Sequence, residues 1–202
     1  GICLQDDTFL DKEPWDFANT PKENYPLLMH YHPLVIYRHQ VCKQADTVLA
    51  EFLLSSRFSR EQKQRDYDFY EPLTTHDSSL SAAIFSIIAC ETGKSGDAFQ
   101  HFRHTALTDL CDLHRNTKDG IHAASMAGSW MCVVNGFAGL RTDSGMPVFQ
   151  TVLPEELTGY RFKFRYRGSL LEISVDRSGS RISLLSGPAI TVRFNGEDLN
   201  LQ

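Results

Sequence analysis

Gly120-Ile121-His122-Ala123-Ala124-Ser125-Met126-Ala127-Gly128-Ser129-Trp130-Met131-Cys132-Val133-Val134-Asn135-Gly136-Phe137-Ala138-Gly139-Leu140 is the last long helical run of this chain of 202 residues. Beyond it, Arg161-Phe162-Lys163-Phe164-Arg165-Tyr166 and Leu170-Leu171-Glu172-Ile173-Ser174-Val175-Asp176 keep a different rhythm. The first run is apolar on most faces, as a buried helix requires. The other two alternate polar and apolar residues with period two, as half-buried antiparallel strands require. The character of the chain therefore changes once, near residue 140, and that change decides the architecture.

Upstream of the change, Gln44 to Ser55, Ser79 to Thr92, Asp97 to Leu113 and Ile121 to Leu140 predict four substantial helices, with a shorter one near Arg60 to Tyr67. Downstream, Met146–Leu153, Tyr160–Arg167, Ser169–Asp176, Ile182–Leu185 and Ala189–Phe194 predict short strands, separated by Arg-Gly-Ser, Arg-Ser-Gly-Ser, Ser-Gly-Pro and Asn-Gly-Glu turns. Helices followed by strands argue for two packed regions, 1–140 and 141–202, rather than an alternating parallel sheet. The first forty residues, with Pro14, Trp15, Pro21, Pro26 and Pro33, have little periodicity and read as an extended surface segment that lies against something else.

A hydrophobic fraction of 42% with 22% charged residues is that of an ordinary globular protein. The net charge of −5 and the scattered Lys and Arg residues argue against a nucleic-acid partner. No apolar run approaches the roughly 20 residues that span a bilayer, and the first residues do not form a signal peptide, so no membrane partner and a cytoplasmic location are expected. Cys3, Cys42, Cys90, Cys111 and Cys132 are odd in number and widely spread, which fits thiols in a reducing compartment. There is no Cys-x-x-Cys pair, and His30-x-His32 and His101-x-x-His104 lack a carboxylate at a recognised spacing, so no metal site is expected.

Three short motifs each precede an apolar helical run: Lys43-Gln44-Ala45-Asp46, His76-Asp77-Ser78-Ser79-Leu80-Ser81 and Asp119-Gly120-Ile121-His122. Helix starts carry unpaired backbone N–H groups and the positive end of the dipole, so they favour anions. Ser78 and Ser79 add two hydroxyls, His122 adds an imidazole, and Lys43 with Gln44 adds a point charge and a bidentate amide. From spacing alone the simpler reading of each is local: an N-cap at Asp77 or Ser78, a histidine satisfied by backbone, a solvated helix start. Glu71, Asp77, Asp109, Asp112 and Asp119 are candidate acids, but no carboxylate pair can be assigned.

The longer context of these motifs carries a resemblance. Tyr31-His32-Pro33-Leu34-Val35-Ile36-Tyr37-Arg38-His39-Gln40-Val41-Cys42-Lys43-Gln44-Ala45-Asp46, then Tyr70-Glu71-Pro72 leading to His76-Asp77-Ser78-Ser79-Leu80-Ser81, then Asp119-Gly120-Ile121-His122-Ala123-Ala124-Ser125-Met126-Ala127-Gly128-Ser129-Trp130 resemble the C-terminal part of the glycoside hydrolase family 65 phosphorylases. That family includes maltose, trehalose and kojibiose phosphorylases. The resemblance runs over nearly all of the chain, with several long motifs in the same order.

What the resemblance implies is an α+β chain: the C-terminal portion of an (α/α)6 barrel, about five helices, followed by a small antiparallel β-sandwich. It implies inverting cleavage of an α-linked glucose disaccharide by inorganic phosphate, giving glucose and β-glucose 1-phosphate, with no metal or organic cofactor. The family's Lys-Gln pair at the substrate falls on Lys43 and Gln44, and its phosphate-binding serines and histidine fall on Ser78, Ser79 and His122. Its general-acid glutamate lies upstream in a Pro-Asp-Glu-Tyr context that this chain lacks, so no catalytic residue is assigned here and the chain alone is expected to be inactive. Ala127 stands where relatives often carry a second glycine beside Gly128, which bears on the backbone there.

The missing partner is then the N-terminal half of the barrel. Inner helices such as Ser79–Thr92 are expected to expose apolar faces that this half covers, favouring homo-oligomers. The Tyr31-to-Lys43 stretch leans toward a maltose-like substrate. Two other readings stay open: a fragment of a related α-glycoside hydrolase, and a noncatalytic carbohydrate-binding or assembly module with Tyr160, Phe162, Phe164 and Tyr166 as an aromatic platform. Retention of both serines with His122 favours phosphate over water, and alternation puts the four rings on one face, where core packing is their simpler use.

Overall fold

A computed structural model describes residues 1–202. The first forty residues form single turns, the two-residue strand β1 (Glu13–Pro14), the one-turn helix α1 (Pro33–Ile36) and β2 (His39–Gln40), which pairs in parallel with β1. This segment lies on the helices that follow. The Cys3 N–H donates to Asp66 Oδ1 at 3.0 Å, and the Gln5 N–H donates to Tyr70 Oη at 2.8 Å. Phe9 is buried against Phe69 and Tyr70.

Five longer helices follow: α2 (Asp46–Leu53), α3 (Arg60–Tyr70), α4 (Ser81–Thr92), α5 (Ser95–Leu107) and α6 (Ala123–Met131), which runs on as a π-helical turn over Cys132–Phe137. Ser59 caps α3 by accepting from the Gln62 N–H, and Gly93, with φ of 86°, ends α4 in the left-handed conformation. Helix α5 is shorter than its periodicity predicts. Beyond Leu107, Asp112 turns the chain with a φ of 44°, and its Oδ1 accepts from the Asn116 and Thr117 N–H groups, side-chain bonds that hold this stretch in a non-helical turn.

Every residue of α4 from Ser81 to Cys90 is buried, and α2, α3, α5, α6 and the π turn all pack on it. This overturns the expectation that Ser79–Thr92 exposes an apolar face: a helix apolar all round is enclosed by its own chain. Gly128 lets α6 approach α4 closely, since a Cβ there would fall 2.7 Å from that of Ala83. Ala127 is helical and exposed, so no special backbone is required at that position.

The strands are β3 (Val148–Phe149), β4 (Gly159–Tyr166), β5 (Ser169–Asp176), β6 (Gly179–Ser186), β7 (Ile190–Phe194) and β8 (Glu197–Leu201). They form two three-stranded sheets, β4-β5-β6 and β3-β7-β8. The arrangement is not wholly antiparallel as expected, because β3 pairs in parallel with β7. Strand β3 is also shorter than Met146–Leu153: Gln150 and Val152 donate instead to the carbonyls of Ala138 and Phe137 at the end of the π turn. Phe149, Leu171, Ile173, Val175, Val192 and Phe194 from both sheets share one apolar cluster with Val134, Ala138 and Leu140.

The β4 rings serve this packing. Phe162 and Phe164 lie against the cluster, Tyr166 stacks on Phe164, and Tyr160 Oη sits 2.7 Å from the Phe137 carbonyl. No aromatic platform is built from them. No helix is long and apolar enough to cross a membrane.

Candidate functional site

The three motifs precede α2, α4 and α6, and α4 packs on both of the others. The first two motifs are tied by backbone. Cys42 N–H donates to the Leu73 carbonyl and Thr75 N–H to the Cys42 carbonyl, each at 2.8 Å, a two-bond bridge that sets Lys43 and Gln44 beside the loop leading to the serines. Ser78 Oγ then donates to Gln44 Oε1 at 2.6 Å, while Gln44 Nε2 donates to Asp46 Oδ1 at 3.0 Å. The Gln44 amide thus spans two helix starts. Lys43 is exposed and makes no ion pair.

No side chain caps α4. Asp77 accepts from the Leu27 N–H, which anchors the N-terminal segment, and Ser78 Oγ accepts from the Leu80 N–H within its own turn. The helix start is left without an acidic cap, and two half-buried serines lie just ahead of it. Ser125 Oγ, one turn into α6 from His122, donates to the Ser79 carbonyl at 3.4 Å, joining the third motif to the second. No direct hydrogen bond links His122 to either serine.

His122 is held from behind. Its N–H donates to Asp109 Oδ2 at 2.8 Å, and its Nδ1 lies 2.6 Å from Asp109 Oδ1. The His122 bond holds the Asp109 carboxyl below the usual carboxylate range, so the carboxylate is the acceptor and Nδ1 carries the proton. Nε2 is left with a long 3.4 Å contact to Asn116 Nδ2. A ring fixed at Nδ1 and lightly engaged at Nε2 is suited to meet a ligand through Nε2. Spacing leaves Asp109 among the unassigned acids, because its partner lies 13 residues away around an irregular turn, which no periodicity reports.

His76 leads the second motif with a φ of 55°, a conformation non-glycine residues adopt rarely. Its Nδ1 lies 2.9 Å from Ser81 Oγ, and its ring packs edge-on to Phe85 and beside His101. Burial pushes His76 down to about 3 and His101 to about 4, so both rings are neutral at neutral pH.

Gln44, Ala45, Asp46, Leu49, Leu80, Ser81, Ile84 and Phe85 line a crevice of about 10 Å³, room for one water and far too little for a sugar ring. Asp46 is the one carboxylate on its wall, and Gln44 already occupies it. The three helix starts thus present hydroxyl, amide and imidazole groups side by side, with no free acid on the crevice wall.

Comparison with known proteins gives the family. The description "Glycosyl hydrolase family 65 central catalytic domain" matches residues 1–131, and "Glycosyl hydrolase family 65, C-terminal domain" matches residues 140–201. An alpha,alpha-trehalose phosphorylase of Geobacillus stearothermophilus is 50% identical over 98% of this chain and 26% of its own length. A maltose phosphorylase of Bacillus subtilis is 35% identical over 100% of this chain and 27% of its own length. Among solved structures, a putative kojibiose phosphorylase from human microbiome superposes with a TM-score of 0.92 at 33% identity, covering 98% of this chain and 28% of that one. The chain spans about a quarter of the length of the curated relatives it matches.

Proposed function

The chain belongs to glycosyl hydrolase family 65, and on that premise we propose that it supplies the phosphate-binding wall of an inverting disaccharide phosphorylase. The observation that carries this reading is the joining of helix starts: Gln44 to Ser78, and Ser79 to the first turn of the His122 helix. Ser78, Ser79 and His122 hold inorganic phosphate, with α4 contributing its dipole, and Lys43 and Gln44 hold the sugar. A phosphate oxygen attacks the anomeric carbon, the bond to the glycosidic oxygen breaks, and that oxygen takes a proton from an acid on the upstream part of the protein. The products are β-glucose 1-phosphate and a free sugar. Phosphate is a co-substrate, and no cofactor enters.

In the same reading residues 1–140 are the C-terminal part of an (α/α)6 barrel and 141–202 a small β-sandwich of a cytoplasmic enzyme. Its partners are the rest of the barrel and a second copy of the protein. The higher identity to a trehalose phosphorylase than to a maltose phosphorylase supports trehalose over maltose as the first substrate to try. Without the acid the chain alone is inactive, since general-acid catalysis contributes about 10²- to 10⁴-fold.

The test is release of glucose from trehalose, maltose and kojibiose with and without phosphate, by this chain alone and mixed with the upstream region of a trehalose phosphorylase. Phosphate-dependent release in the mixture only is expected. Release by the chain alone, or release that ignores phosphate, would refute the proposal.

A further inference from the structure

The side chains of Glu71 and His76, close in sequence, meet that of His101 beside the second motif, and we infer that the three form a structural site for a divalent metal of the zinc class. Glu71 follows the last residue of α3, His76 lies in the loop before α4, and His101 sits on α5. One ligand atom from each lies within 4.8 Å of the other two. His101 Nε2 is 3.9 Å from Glu71 Oε1, and the two imidazole centroids are 5.1 Å apart with their planes at 49°. Ligands of a tetrahedral site with bonds near 2.0–2.1 Å stand about 3.3 Å apart, so side-chain rotations that draw Glu71 and His101 together by about 0.6 Å, and the other pairs by up to about 1.5 Å, close the set.

His76 Nε2 gives the strongest indication of a ligand. It is buried and has no hydrogen-bond partner, although the other nitrogen of the ring is engaged by Ser81 Oγ. With the proton on Nδ1 and donated to Ser81 Oγ, the Nε2 lone pair is free to take a ligand. A buried acceptor without a donor is costly, and a metal ion is the partner that two neutral imidazoles and a carboxylate accept together. A water completes the coordination, because burial raises the Tyr67 phenol, 3.3 Å from His101 Nε2, and keeps it protonated. The carboxyl of Glu71 is half exposed and provides the way in.

Two nitrogens and one oxygen suit zinc, cobalt or nickel rather than calcium or magnesium, which demand oxygen ligands. Bound there, the ion would tie the end of α3 and the middle of α5 to the loop two residues ahead of Ser78. It would hold that loop and take no part in chemistry. The site was hidden from the sequence because its ligands come from three elements, and His101 pairs across the fold instead of with His104.

The test is titration of the 202-residue chain with Co²⁺, read by the visible bands of four-coordinate cobalt and by thermal melting. One equivalent of Co²⁺ should give the bands and raise the melting temperature, and Zn²⁺ should displace it. Glu71→Gln, at a half-exposed position that tolerates change, and His101→Gln should each abolish the bands while circular dichroism stays native. Ser81→Ala should weaken binding by about 10-fold through loss of the bond that orients His76. Cys3→Ser, in the separate Cys3, Glu51 and Asp66 cluster, should change nothing. Absence of bands at millimolar Co²⁺, or bands that survive both ligand substitutions, would overturn the assignment.

Discussion

The helical and strand regions differ in how completely each covers its own apolar surface. Fifteen of the sixteen large hydrophobic side chains left exposed, among them Leu110, Ile121, Met126 and Trp130, lie before residue 140, and Leu185 alone lies after it. The strand region leaves little apolar surface open, because both sheets turn their apolar faces onto one cluster that Val134, Ala138 and Leu140 of the helical region complete. The helical region closes around α4 but leaves its rim open, and the residues proposed to hold phosphate sit where closed core meets open rim. Closed packing makes stability, and an open rim beside donors makes a site that expects more protein around it.

The contrast is broken most severely from inside. Phe85→Ala on α4 should cost about 3–5 kcal/mol, read by urea unfolding, because the ring is 1% exposed and packs on Tyr67, His76 and His101. A loss under 1 kcal/mol would mean that α4 is not the organising helix. Gly128→Ala should cost about 1–3 kcal/mol by forcing α6 off Ala83, an overpacking effect that the same unfolding experiment detects.

Glu51 offers a test with a sign. Its carboxyl is buried without a hydrogen-bond partner, and burial, followed by the neighbouring Asp66, pushes it up to about 8; Glu91 adds to the rise and Lys63 opposes it. The unfolded chain releases this proton near its ordinary value of 4.5, whereas the folded chain keeps it. Stability is therefore fully present below pH 4.5 and is lost as pH rises toward 8. Glu51→Gln should remove that loss, raising the melting temperature at pH 8 and leaving it little changed at pH 5. Equal effects at both pH values would contradict the assignment of a neutral buried carboxyl.

The smallest stability effect belongs to the rim. Trp130→Ser should change unfolding free energy by no more than about 0.5 kcal/mol, because the side chain is largely exposed. It should nonetheless weaken self-association in sedimentation and reduce complementation by the upstream region. A large loss of stability would show that the rim is part of the core.

How much of this was legible depended on where the information sat. Helix α4 and strand β5 were readable because their apolar content or alternation is local, and β5 spans Ser169–Asp176 as predicted. The end of α5, the shortness of β3 and the existence of β8 were not. Asp112 holds the stretch after Leu107 in a non-helical turn, Gln150 and Val152 spend their N–H groups on the π turn, and β8 follows an Asn-Gly-Glu turn without a strong apolar run of its own. At the candidate site, the helix starts were visible as motifs. The Gln44–Ser78 bond, the clamp of Asp109 on His122 and the meeting of Glu71 with His76 and His101 were not, since each joins elements that only tertiary packing brings together.

We propose that this chain carries the phosphate site. This is tested most directly by titrating the isolated chain with inorganic phosphate and following backbone amide and imidazole resonances. Saturable shifts are expected at Ser78, Ser79 and His122, and they should disappear in His122→Gln and weaken in Asp109→Asn. Shifts absent from these residues, or unchanged in His122→Gln, would contradict it.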